Sequence, residues 1–466
     1  MEPVRVERFY LGCLAHASYM IASDGMAAVI DPQRDVDIYV DAAVKNGWTI
    51  QHIVETHLHA DFVSGHTELA ERTGARIYLG AGSGAQFEHL AVKDGDEIHF
   101  GQCRLSILQT PGHTLESVCI VMTDMSEPGS AQMVFTGDTL FLGDVGRPDL
   151  SPTHTQQQLA GLLYKSLHEK LLTLPDDTVV YPAHGAGSLC GRQMSAGSSS
   201  TIGIQRRTNY ALLAGSQDEF VHLLTDDLPP RPQYFEREVE LNRRGAAPLA
   251  ELPVLKAFTA REVVELSKQG VAIVDTRPVM EFAVAHVPGA IHIALTGQYA
   301  SWAARILGLD TKLILVGEDV DHVQESQMRL ARVGIENIVG YLEGGVSGWI
   351  ESGLELEYIP QISGQELIEL REQEPVAVLD VRERGELAGG VIEGSKHIPL
   401  GQLGGRVGEL SRERLLVVHC AGGYRSSVAT SLLRREGFLD IANLIGGFDA
   451  WKKAGLPFSE PENAAV

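Results

Sequence analysis

The chain has 466 residues, and at ~100–200 residues per domain it is expected to fold as two to four domains. Hydrophobic residues make up 44% and charged residues 21%, an ordinary globular balance that excludes disordered and fibrous chains. Lys and Arg number 38 against 61 Asp and Glu, a formal charge of −23 that repels nucleic acid and anionic membrane surfaces, so an anionic substrate must meet a local basic patch.

No stretch approaches the ~18–20 apolar residues of a membrane helix, and MEPVRVERFYLG lacks the basic-then-apolar pattern of a signal peptide. The expected compartment is the cytoplasm, with neither nucleic acid nor membrane as a partner. Five cysteines (Cys13, Cys103, Cys119, Cys190 and Cys420) lie far apart, show no CxxC pairing and are odd in number, which favours individual thiols over a disulfide framework.

Up to about residue 230, short apolar runs (MAAVID, QHIVET, RLSILQT, QMVFTGD, TVVYPAH) alternate with helical stretches such as THTQQQLAGLLYKSLHEKLLTL, predicting a layered α/β or αββα fold. Four of the runs end alike. HIVETHLHAD ends on His57, His59 and Asp61, LSILQTPGH on His113, MVFTGD on Asp138 and VVYPAH on His184. Ligands of layered α/β folds gather where strands end, so these groups are expected to converge. Imidazole and carboxylate suit zinc, iron or manganese, and composition alone rarely repeats them at four strand ends.

The Pro- and charge-rich segment Pro229–Lys256 reads as a connection between domains. Beyond it the chain repeats itself. VAIVDTRPVMEF (Val271–Phe282) lies over VAVLDVRERGEL (Val376–Leu387), setting Asp275 and Arg277 on Asp380 and Arg382. Each copy alternates β-branched runs with amphipathic helices, which predicts a parallel sheet covered on both faces. In the second copy LLVVHCAGGYRSS places Cys420 between a strand and a helix. Loop amides there would stabilise a thiolate or a persulfide anion, with Gly422 and Gly423 letting the backbone curl and Arg425 adding positive charge.

The strings THLHAD, TPGHT, TGDTLF and YPAHG resemble the metallo-β-lactamase superfamily over about residues 7–207. Most members continue the first motif as HxHxDH and hold a second metal through the Asp and the last His. Here Phe62 stands at that last position and cannot coordinate. The resemblance therefore implies one metal on His57, His113 and Asp138, with His59, Asp61 and His184 as orienting groups or an alternative metal site. Two histidines and a carboxylate with open positions suit mononuclear Fe(II), with zinc as the alternative. Within the superfamily, GDVGRPD (Gly143–Asp149) and HGAGSLCG (His184–Gly191) resemble the persulfide dioxygenases. That likeness makes Arg147 a substrate-binding candidate, with a structural ion pair as the other reading, and Cys190 a candidate reactive thiol or else a small buried hydrophobe.

The Cys-x4-Arg loop, with LDVRE and GGFDAW, resembles the rhodanese family over about residues 360–458. It implies that Cys420 and Arg425 are catalytic. The first copy carries no thiol; Glu318 is expected at the place of Cys420, and the module is expected to be structural.

Together these resemblances predict an αββα metallo-β-lactamase sandwich (1–250) followed by a cysteine-less rhodanese module (257–358) and an active one (359–466). The expected activity oxidises a glutathione-, coenzyme A- or bacillithiol-type persulfide with O2 to sulfite, coupled to sulfur transfer and thiosulfate formation at Cys420. A zinc thioester hydrolase of the glyoxalase II type fused to a sulfurtransferase, and a non-catalytic persulfide sensor, are the alternatives. A homo-oligomer is allowed.

Overall fold

The computed structural model describes residues 4–460 apart from Pro128, Ser130 and Asp227, so the outer limits expected for the first and third modules, 1 and 466, lie outside the described residues. The chain divides into two compact units, Met1–Leu252 with Leu330–Gly334, and Pro253–Arg329 with Ile335–Val466.

The first unit is built on two sheets. One runs in order β1 (Arg5–Leu11), β2 (His16–Ser23), β3 (Met26–Ile30), β4 (Thr49–Glu55), β5 (Arg76–Gly80) and β6 (Leu90–Val92). The other contains β7 (Glu97–Phe100), β8 (Cys103–Gln109), β9 (Val118–Asp124), β10 (Met133–Gly137), β11 (Val179–Pro182) and β12 (Ser200–Thr201), ordered β12-β11-β10-β9-β8-β7. Strand alternation makes the layers. Cys103, Leu105 and Ile107 of β8 point at Tyr19, Ile30 and Val54 of the facing sheet and form the central core with Val118, Ile120 and Phe135. On β9, the intervening Cys119 and Val121 point outward, under Leu163 and Leu167 of the Gln156–Glu169 helix, which a Thr155/Gln158 capping box starts. On the opposite face Tyr39 and Ala43 of the Asp37–Asn46 helix cover Val29 and Ile53. The result is the expected αββα sandwich.

The Pro229–Lys256 segment is more than a connection. It forms a helix, Phe235–Arg244, whose buried face is Phe235, Glu238 and Asn242. The seven charged or amide side chains in EREVELNRR disguise that face, since only one position per turn is turned inward.

The second unit holds two five-stranded sheets of identical order. The first is β13 (Lys256–Phe258), β17 (Ile338–Leu342), β16 (Leu313–Val316), β14 (Ala272–Asp275), β15 (Ile291–His292). The second is β18 (Gln361–Ile362), β22 (Ile441–Leu444), β21 (Leu416–His419), β19 (Ala377–Asp380), β20 (Ser395–His397). All their pairings are parallel, as repeated βα units require.

Register corrects one expectation. β14 sets Asp275 opposite Val316, and β19 sets Asp380 opposite His419, so Gly317, and not Glu318, stands where Cys420 does. The turn after β16 is one residue shorter than the turn after β21, because its helix starts at Val320 where the other starts at Tyr424, so residues beyond the strand do not correspond one to one.

The two glycines of the GGF corner make a tight approach. Gly447 has φ +58°, and a Cβ there would lie 2.4 Å from the Cys420 carbonyl oxygen and 2.5 Å from that of Ala421. Gly447→Ala is therefore expected to destabilise the second unit by about 2 kcal/mol or more, read by scanning calorimetry. Gly422→Ala is the control: its Cβ would meet nothing within 4 Å, so unchanged unfolding is expected there.

Candidate functional site

β4, β8, β10 and β11 each run out into the same buried pocket. His57 Nε2 lies 3.9 Å and His113 Nε2 3.3 Å from Asp138 Oδ2. His184 Nε2 lies 3.6 Å from Asp138 Oδ1 and 3.4 Å from Asp61 Oδ2. All are buried.

The outer nitrogens are fixed first. His113 Nδ1 donates to the Arg147 carbonyl at 3.0 Å. His57 Nδ1 is 3.0 Å from Thr56 Oγ1, whose own hydroxyl is committed to Asp31 Oδ2 at 2.9 Å. Each ring therefore carries its proton on Nδ1 and turns an Nε2 lone pair inward. Burial, and then the neighbouring imidazoles, push His57 well below the usual histidine range. Burial also lowers His113, against the pull of Asp138. Both shifts favour the neutral ring, the form that can hold a metal. Their Nε2 atoms and both Asp138 oxygens have no hydrogen-bond partner among the described residues. Unpaired buried polar atoms are costly, and a shared cation removes the cost of all four at once. Donors ~2.1 Å from one ion lie roughly 3.0–3.4 Å apart, close to these separations. The donor set fits a metal.

His59 is drawn elsewhere. Its Nε2 faces Asp31 Oδ1 at 3.3 Å and Glu55 Oε2 at 3.5 Å. Burial opposes its charge, but Asp31, Glu55 and Asp138 outweigh it and lift its pKa to about 9. His59, Asp61 and His184 still form a second cluster of metal-ligand type, and His184 with Cys190 and Asp138 an overlapping one. Phe62 packs into this second cluster, its ring 4.4 Å from His59 and 4.0 Å from His16. His16, on β2, is buried with both ring nitrogens unpartnered among the described residues.

Four supporting residues escape the sequence patterns. Asp31 ends β3, holds Thr56 through its backbone N–H (2.7 Å) as well as its hydroxyl, and has φ +49°. It obeys the strand-end rule that found the histidines, but Asp before Pro also reads as an ordinary turn. Asn242 donates to the His59 and Phe62 carbonyls, both at 2.8 Å, and accepts from Ser64 N–H at 2.8 Å. That saturates its amide and closes the ligand loop. Glu238, on the same helix face, is buried with both oxygens unpartnered among the described residues; burial and the Asp61 charge push its pKa well above the usual carboxyl range. No sequence signal marks either. Gly146 is the fourth: a Cβ there would lie 1.9 Å from the Asp138 carbonyl oxygen and 2.9 Å from His113 Nδ1.

Arg147 reaches Asp149 through two nitrogens (2.6 and 2.8 Å) and the carbonyls of Leu189 and Pro229, the contacts of a structural ion pair. Cys190 is buried, and burial together with Asp61 and Asp138 raises its pKa well above the ordinary thiol value.

In the second unit Gly423, at φ +103°, caps the Tyr424–Arg435 helix and donates its N–H to Cys420 Sγ at 3.1 Å. Gly422 has neither positive φ nor a close neighbour, so the expected curl depends on Gly423 alone. Arg425 is not a free charge. Its Nη2 donates to Glu386 Oε1 at 2.7 Å, and its Nη1 reaches Oε2 of the same carboxylate.

A model of the metallo-beta-lactamase superfamily matches residues 11–184, and one of the rhodanese-like domain matches residues 259–352 and 363–454. The chain is 34% identical to the mitochondrial persulfide dioxygenase ETHE1 of Homo sapiens over 220 residues, 47% of this chain and 78% of that protein. It is 31% identical to the hydroxyacylglutathione hydrolase of Rhodopseudomonas palustris (strain BisB18) over 233 residues, 50% of this chain and 80% of that protein. Among solved structures, a metallo-beta-lactamase from Staphylococcus aureus subsp. aureus COL aligns with a TM-score of 0.66 and 31% identity, covering 73% of this chain and 99% of that one.

Gly146→Ala must displace the Asp138 strand end or the His113 ring. Metal per chain, measured by inductively coupled plasma mass spectrometry, is expected to fall below about half the wild-type value; full retention would show that the segment can yield.

Proposed function

We infer that this chain, which belongs to the metallo-beta-lactamase superfamily and carries two rhodanese-like domains, oxidises a thiol persulfide with O2 and transfers sulfane sulfur through Cys420. We take it as three modules, 1–250, 257–358 and 359–466. The carrying observation is the trio His57, His113 and Asp138, whose inward atoms have no hydrogen-bond partner among the described residues, beside a second cluster into which Phe62 is packed.

Fe(II) bound by that trio would supply positions at which O2 and a persulfide meet. The protein does the rest. The Arg147 carbonyl and the Thr56–Asp31 pair hold the two imidazoles with their lone pairs inward. His59 stands beside the trio with its Nε2 turned toward Asp31 and Glu55. Phe62 and His16 pack ring against ring beside the trio, their centroids 4.0 Å apart. The overall reaction is RSSH + O2 + H2O → RSH + sulfite + 2 H+. Arg147, already committed to Asp149, contributes through its backbone carbonyl and through the shape of the wall it holds.

At the second site the Cys420 thiolate attacks the outer sulfur of thiosulfate, the S–S bond breaks, and sulfite leaves with its electron pair. Cys420 then carries a terminal persulfide anion, facing the Gly423 N–H. Run in reverse, sulfite from the first reaction accepts sulfur to form thiosulfate. The substrates are a glutathione-, coenzyme A- or bacillithiol-type persulfide, O2, sulfite and thiosulfate. A zinc thioester hydrolase is the second reading, favoured by the surviving His59–Asp61–His184 cluster and the hydroxyacylglutathione hydrolase relatives.

The test is oxygen uptake by anaerobically iron-loaded protein given glutathione persulfide, with sulfite assayed alongside. Stoichiometric uptake with iron and none with zinc is expected; thioester cleavage by the zinc form without oxygen uptake by the iron form would give the chain to the hydrolase reading. His113→Ala is expected to lose at least about a hundredfold in oxygen uptake and keep sulfur transfer, and Cys420→Ser to do the reverse.

A further inference from the structure

β15 is the edge strand of the cysteine-less sheet, and an edge strand leaves backbone groups without sheet partners. Here the partners come from the helix that follows the Cys420 loop. His292 N–H donates to Ser431 Oγ at 3.0 Å, and the Tyr424 hydroxyl donates to the Ala294 carbonyl at 2.9 Å. Between them Ser427 Oγ lies 2.8 Å from His292 Nδ1. Tyr424, Ser427 and Ser431 are spaced three and four apart, so they form one stripe along the helix.

The direction of the Ser427 bond follows from the other ring nitrogen. His292 Nε2 is 2.9 Å from the Arg277 carbonyl, which can only accept, so the ring proton sits on Nε2 and Nδ1 accepts the Ser427 hydroxyl. Burial lowers the His292 pKa to about 4, so the ring stays neutral. The ring cannot tilt freely, because Phe282 stacks on it at 4.3 Å. A further contact touches the other side of the loop. Arg305 Nη2 donates to Glu383 Oε1 at 3.1 Å, in the turn that carries Glu386, the partner of Arg425.

We propose that the cysteine-less module is the bearing that positions the Cys420 loop, with His292 as its positioning residue: it fixes the helix whose first turn directs the Gly423 amide at the sulfur. The module thereby acts in sulfur transfer without a thiol of its own. The proposal rests on Cys420 being the sulfur carrier.

The test uses full-length protein and three variants. Ser427→Ala and His292→Gln both remove the acceptor–donor pair across the modules; His292→Asn keeps an amide at the place of Nδ1. Two readouts are taken: steady-state thiosulfate:cyanide transfer, and the pH profile of Cys420 alkylation by iodoacetamide, followed by mass spectrometry of the Cys420 peptide. Ser427→Ala and His292→Gln are expected to lower kcat about fivefold to tenfold with KM little changed, and to move the alkylation profile up by about half a pH unit. His292→Asn is expected to recover most of both. Wild-type kcat and profile in Ser427→Ala, or equal losses in the Asn and Gln variants, would overturn the positioning role. Absence of transfer in the wild type with an unreactive Cys420 would instead overturn the carrier on which the proposal rests.

Discussion

The structure depends on one constraint: polar atoms buried at strand ends must find a partner, and the inward atoms of His57, His113 and Asp138 have no hydrogen-bond partner among the described residues. His57 Nε2, His113 Nε2 and both Asp138 oxygens face one another in a buried pocket. A fold that leaves such atoms unpaired would lose several kcal/mol. The surroundings hold these groups in place. The Arg147 carbonyl and the Thr56–Asp31 pair take up the outer nitrogens, Asp31 and Glu55 draw His59 aside, and Gly146 lets the backbone of one loop lie against the Asp138 carbonyl. Asn242 then closes the ligand loop from a helix nearly two hundred residues further along the chain, 183 positions from His59.

Much of this was legible in the sequence because strand ends are marked locally. An apolar run followed by His or Asp carries its own evidence, and six ligand-type residues were visible that way. The repeat was equally plain, since β14 and β19 share an Asp-x-Arg ending that the structure builds identically, Arg277 and Arg382 each folding back on its own aspartate at 2.6 Å. What stayed hidden depends on distant contacts. Nothing near Asn242 or Glu238 in EREVELNRR distinguishes an inward from an outward polar residue. Arg425 looked like a free charge because Glu386, which holds it, lies 39 residues away. Strand pairing sets Gly317, the residue directly after β16, at the place that Cys420 holds directly after β21.

The two sites use different physics for related chemistry. At the first, neutral imidazoles and a carboxylate supply an oxygen- and nitrogen-donor set, with an apolar ring packed against the neighbouring cluster. At the second, no metal donor set is needed. A helix N-terminus and a glycine amide face a sulfur atom, and the burden falls on holding that helix still. The polar stripe Tyr424, Ser427 and Ser431, buried or half-buried where leucines would serve a plain core, shows where that hold is applied.

The most direct test of the single-metal account is the position of the ion itself. Crystals of the iron-loaded protein, with anomalous differences collected on either side of the iron edge, are predicted to show one peak per chain, within bonding distance of His57, His113 and Asp138. A second peak between His59, Asp61 and His184, or a sole peak there, would contradict it and return the centre to a dinuclear or displaced site that Phe62 does not block.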